Sequence, residues 1–153
     1  MRVHAPDAAR FGAMTLGMPY VEVDTAPGST EGIARFYAVT HTGEDAAGRF
    51  AHVTAGPAQS LIYREMSDEK ARELPPYDGH HVQIAVADFS GMHQRLLERG
   101  LITEESNASQ YRFQNITDLS TGELLTTLEH EVRSMRHPLF ARVLVNRNPD
   151  ASL

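Results

Sequence analysis

Two stretches of this chain repeat the same order of hydropathy patterns about 60 residues apart, and this repeat restricts the fold more than any single motif does. In the first stretch Met18–Asp24 alternates as a half-buried strand does, with Val21 and Val23 on one face and Tyr20 and Glu22 on the other. Pro27-Gly28 ends it. Ser29 or Thr30 is placed to cap a helix through Gly32–Tyr37, in which Ile33, Phe36 and Tyr37 fall on one stripe. Thr40–Gly43 is a weak strand candidate, and Arg49–Thr54 and Gln59–Glu65, on either side of Gly56-Pro57, read as two more strands.

The second stretch opens with His81–Ala87, where Val82, Ile84 and Val86 share one face and His81, Gln83 and Ala85 the other. Asp88 or Ser90 caps a helix carrying Phe89, Met92, Leu96 and Leu97, and Gly100 stops it. Leu101–Glu104, Tyr111–Thr117, a turn at Asp118–Gly122 and a long strand over Glu123–Val132 follow. The order strand, helix, three strands occurs twice, which predicts an α+β fold with mixed or antiparallel sheet. We expect one domain over residues 1–153, with module one at 16–66, a linker at 67–79, module two at 80–132 and a C-terminal extension at 133–153.

Composition narrows the function classes. The chain has 153 residues and no cysteine, which excludes disulfide frameworks, thiolate-held metals and thiol nucleophiles. Fourteen basic against twenty acidic residues leave a net charge of −6, unfavourable for binding a phosphate backbone, so no nucleic-acid partner is expected. Nowhere do 18 apolar residues run together, and the first ten residues are polar, so the expectation is a cytoplasmic protein without a membrane partner. No Gly-x-Gly-x-x-Gly fingerprint occurs, and there is no phosphate-cradling glycine loop.

The run His81-Val-Gln-Ile-Ala-Val-Ala-Asp88, the helix end Leu97-Glu-Arg-Gly-Leu101, Tyr111-Arg-Phe113 and the Asp118–Gly122 turn before an acidic strand resemble one module of the vicinal oxygen chelate superfamily. That superfamily includes glyoxalase I, extradiol dioxygenases and bleomycin resistance proteins. The first half resembles it through Val21-Glu-Val23 and Ala34-Arg-Phe-Tyr37, so the likeness spans residues 16–132. The resemblance implies paired βαβββ modules whose mixed sheets form a cup, in the glyoxalase-like manner. It also implies metal ligands at inward positions of the first and last strands of each module.

Mapped onto this chain, the first-strand histidine of the second module is His81, which parity with Gln83 also turns inward. The last-strand position falls on Thr126, and Glu129 is the nearest carboxylate. In the first module the histidine position falls on Met18, and Glu65 occupies the last-strand position. The ligand set implied is therefore His81, Glu129 and Glu65, holding a divalent metal such as Fe, Mn, Zn, Ni or Mg. Glu22 or Glu129, raised in pKa by an apolar cup, would be a general base, and Gln83, Arg112 and Glu131 would contact substrate. Two functions remain open. One is a metal-dependent lyase, isomerase or dioxygenase acting on a small oxygenated molecule. The other is a metal-free binder like the bleomycin resistance proteins, favoured by Met18 and Thr126 at ligand positions. The apolar residues Leu139, Phe140, Val143, Leu144 and Val145 lead us to expect a homodimer.

Overall fold

In the computed structural model the described residues are 19–38, 41–56, 59–73 and 76–141. Met18, Thr40 and Val143–Val145 lie outside them. The elements in chain order are β1 (Tyr20–Thr25), α1 (Thr30–Phe36), β2 (Thr42–Asp45), β3 (Gly48–Gly56), β4 (Gln59–Glu65), α2 (Asp68–Ala71), β5 (His81–Val86), α3 (Phe89–Leu97), β6 (Ile102–Asn107), β7 (Gln110–Thr117) and β8 (Leu124–Ser134). They build two four-stranded sheets of the same order, β1-β4-β3-β2 and β5-β8-β7-β6. In each the opening strand lies beside the closing one, so the sequence repeat becomes two βαβββ units in an α+β fold. The first sheet is mixed: β1 runs parallel to β4, while β2–β3 and β3–β4 are antiparallel. β2 sits two residues beyond the weak candidate at Thr40–Gly43, and β8 extends past Val132 to Ser134.

The register of the first sheet sorts its side chains. Asp24 and Phe50 both oppose Arg64, and Glu22 and His52 both oppose Ile62, so these six share one face. Val23, Ala51, Val53, Leu61, Tyr63 and Glu65 take the other. Helix α1 belongs to this second face: Ile33 and Ala34 are buried, and the Tyr37 hydroxyl lies 2.7 Å from that of Tyr63. The start of α1 is not held by its own Ser29, whose hydroxyl donates to Ala26 O at 2.6 Å. Glu65 of β4 does it instead, its Oε1 accepting from Thr30 N at 3.0 Å and from the Thr30 hydroxyl at 2.6 Å.

In the second sheet Tyr111, Phe113, His130 and Val132 are buried, and Phe113 stacks on His130 at 4.4 Å. Helix α3 begins as its sequence predicts, with Asp88 Oδ1 accepting from Gly91 N at 3.1 Å. It ends at Gly100, whose φ of 67° lets Leu101 N reach back to Leu96 O at 3.0 Å.

The chain divides into two compact units that cut across the repeat. Among the described residues, those from Pro19 to His80 go with Gln114–Glu129, and His81–Phe113 go with those from His130 to Ala141. Inside the first unit α1 approaches β8 so closely that a Cβ on Gly32 would stand 2.6 Å from Leu125 Cδ1. Beside it Arg35 pairs with Asp118 at 2.7 Å. That guanidinium, with the amides of Ser120 and Thr121, holds the Asp118 carboxyl at about 2.

Candidate functional site

On the face of the first sheet turned away from α1, Glu22 meets Arg64. The Arg64 side chain is 3% exposed, with Nε 3.1 Å from Glu22 Oε1 and Nη2 donating to Glu22 Oε2 at 3.2 Å. Nη1 donates to Asp45 Oδ1 at 2.7 Å and to the Gly48 carbonyl at 3.2 Å, and Nη2 reaches Asp45 Oδ2 at 3.3 Å. The Phe50 ring lies 5.4 Å from the guanidinium carbon. Both terminal nitrogens of this planar cation donate twice, while Nε meets Glu22 as an ion pair without a hydrogen bond. Glu22, a residue the sequence offers as a general base, has both carboxylate oxygens engaged by the arginine. The same face carries His52, with Nε2 2.6 Å from Ser60 Oγ.

The second sheet holds another ion cluster, built around a carboxylate. Glu131 of β8 has an 8% exposed side chain; Oε2 accepts from Arg112 Nη2 at 2.6 Å, and Oε1 lies 2.5 Å from Arg133 Nη2. Arg133 also donates from Nε to Gln110 Oε1 at 3.3 Å. Glu104, well exposed, stands 3.8 Å from Arg112 Nε. Arg112 and Arg133 keep 27% and 19% of their side chains exposed. Alternation along β7 puts Arg112 on the face opposite Tyr111 and Phe113, away from the buried aromatic layer.

The remaining candidates fall in several places. Glu65 is on the wrong face for the metal role: it opposes Thr25 on the α1 side, whereas Glu22 faces away. Burial pushes its carboxyl up, but the Thr30 hydroxyl and amide more than offset this, and it titrates below the ordinary range. It is a helix-capping carboxylate. His81 and Gln83 are exposed on β5 while Val82, Ile84 and Val86 are half-buried, the alternation the sequence predicts. Glu129 is half-buried, and its amide donates to the Tyr77 hydroxyl at 3.2 Å. Among the described residues no three His, Asp or Glu side chains gather into a group able to hold a metal. The set His81, Glu129 and Glu65 thus does not fit a divalent ion, because Glu65 is committed to α1.

Arg64, Asp45 and Ser60 are not among the site residues the sequence offers. Arg64 had a signal, a charged residue inside the otherwise strand-like Gln59–Glu65, but its partners come from β1 and β2 and depend on register.

Solved structures share the architecture. A chain described as "a possible Glyoxalase from Bacillus cereus" aligns with a TM-score of 0.50 at 14% identity, over 78% of this chain and 99% of that one. The chain shares the fold of that structure. A glyoxylase/bleomycin resistance protein/dioxygenase domain from Frankia sp. EAN1pec aligns at 0.47 with 18% identity, over 81% of this chain and 96% of that one. No protein-family model and no curated protein matches the chain. At such identities the likeness concerns strand order and connection, and carries no residue roles with it.

Proposed function

We propose that this chain is a small-molecule-binding protein that takes an organic acid, with Arg112 and Arg133 receiving the carboxylate. The supporting observation is two guanidiniums converging on the one nearly buried carboxylate of Glu131. Both guanidiniums stay partly open to solvent, and the contact of Arg112 with Glu104, exposed and 3.8 Å away, is weak because solvent screens such pairs. Guanidinium is the side-chain group best matched to a carboxylate, through two parallel N–H···O bonds. Glu131 holds both arginines in place before a ligand arrives, which lowers the ordering cost of binding.

Binding fits this chain better than metal-assisted turnover. Glu65, needed as a ligand, caps α1 instead, and Glu22, needed as a base, is held in both oxygens by Arg64. A calorimetric comparison of benzoate with benzamide tests the reading, since the two differ chiefly in charge. Benzoate should bind and benzamide should not, and Arg112→Ala and Arg133→Ala should each weaken benzoate about tenfold, the scale of one charge-assisted bond. Equal binding of the two compounds, or full affinity in the Arg112 variant, would overturn it.

A further inference from the structure

The acid site closes on itself. Arg133 Nε donates to Gln110 Oε1 at 3.3 Å, Gln110 Nε2 donates to Ser106 Oγ at 3.2 Å, and the Ser106 hydroxyl donates to Glu104 Oε1 at 2.6 Å. Glu104 Oε2 stands 3.8 Å from Arg112 Nε, and Arg112 and Arg133 meet on the Glu131 carboxylate at 2.6 and 2.5 Å. Six side chains from β6, β7 and β8 thus form one circuit. Five of its links measure 3.3 Å or less, and the sixth, between Glu104 and Arg112, is too long for a hydrogen bond. The circuit is loose at that one place.

Charge defines what the loose link would take. The circuit holds two guanidiniums and two carboxylates, those of Glu104 and Glu131, so it is neutral as it stands. A bare carboxylate seated on the arginines would leave one negative charge uncompensated beside Glu104. A ligand that brings its own cation keeps the sum at zero. Glu104 is well exposed, and its Oε2 makes no hydrogen bond among the described residues, so that oxygen is open to an incoming donor. Nη1 of Arg133 likewise makes none and is not sealed from solvent. The Ser106 hydroxyl fixes the other oxygen of Glu104 and so holds the open one beside Arg112 before a ligand arrives.

A carboxylate oxygen only accepts, and a protonated amine brings three N–H donors and no acceptor. Glu104 and Arg112 oppose one another across β6 and β7, so the ammonium and the carboxylate of the ligand must lie close together, as they do when one carbon carries both. We propose, resting on the reading of Arg112 and Arg133 as an acid site, that the acid is an α-amino acid, its carboxylate on the two arginines and its ammonium on Glu104.

Calorimetry on the full chain with phenylalanine and 3-phenylpropanoate, which differ by the ammonium alone, tests it. Phenylalanine should bind about tenfold more tightly, the worth of one charge-assisted bond. Glu104→Gln should abolish that preference, since an amide carries no charge, and Glu104 is exposed enough for the substitution to leave the fold in place. Arg133→Ala should weaken both compounds and keep their ratio. Binding of 3-phenylpropanoate as tight as that of phenylalanine, or a preference that survives in Glu104→Gln, would overturn the amino-acid assignment and leave the acid site standing. Binding of neither compound, or of phenylalaninamide as tightly as phenylalanine, would overturn the acid site and the assignment together.

Discussion

Arg64 in the first sheet and Arg112 in the second both sit on strands beside a buried glutamate, and they do different things. Around Arg64 two carboxylates, Glu22 and Asp45, and the Gly48 carbonyl close on one guanidinium that is 3% exposed. Around Glu131 two guanidiniums close on one carboxylate, and both stay partly exposed. The first arrangement seals in its cation and joins all four strands, β1, β2, β3 and β4. The second keeps its guanidiniums partly open to solvent. An ion cluster therefore reads as a structural pin or as a binding site according to whether its cation is sealed in or reaches solvent.

The comparison breaks most readily at Arg64. Arg64→Ala leaves Glu22 buried against no cation, and we expect a loss of about 3–5 kcal/mol in urea unfolding, the usual cost of breaking one side of a buried pair. The pair Glu22→Gln with Arg64→Met should recover much of it, since no charge is then stranded. Glu131→Ala should cost less, about 1–3 kcal/mol, because the partly exposed arginines can turn to water. If both substitutions cost the same, the second cluster is a pin as well and the acid-binding reading loses its support.

A third carboxylate, held by hydroxyl and amide rather than by arginine, sharpens the contrast. Glu65→Ala should cost about 1 kcal/mol at neutral pH, the worth of a helix cap. The folded Glu65 carboxyl titrates below its ordinary range, so its contribution is complete above the unfolded carboxylate value of about 4.3 and is lost as pH falls through the lower folded one. Stability curves of wild type and Glu65→Ala should converge at acid pH. A gap that stays constant from neutral pH down to pH 2 would mean that the carboxylate charge plays no part.

The strands of the second half were legible because each carries one apolar and one polar face: Val82, Ile84 and Val86 against His81 and Gln83 on β5, and Leu128 and His130 against Glu129 and Glu131 on β8. Glu22 was legible for the same reason. β4 was legible as a strand over Gln59–Glu65, but not the face each of its residues takes, since Leu61, Ile62, Tyr63 and Arg64 are all buried and a strand covered on both faces shows no period. Glu65 was consequently placed by analogy with a last-strand ligand, and the parallel register with β1 turned it to α1. Arg112 and Glu131 were both read as substrate contacts, but their meeting across β7 and β8, with Arg133 beside them, is a product of strand pairing.

What the sequence determined by itself is the repeat, the element order and the α+β class, because hydropathy period and turn chemistry act over a few neighbouring residues. Tertiary structure decided which charges meet. Arg64 reaches Glu22 across 42 positions and Arg112 reaches Glu131 across 19. A one-residue shift in register would send each side chain to the opposite face. Local pattern settles where strands lie, while the Coulomb and hydrogen-bond energies that make a site depend on distances of about 3 Å that only the paired sheets establish.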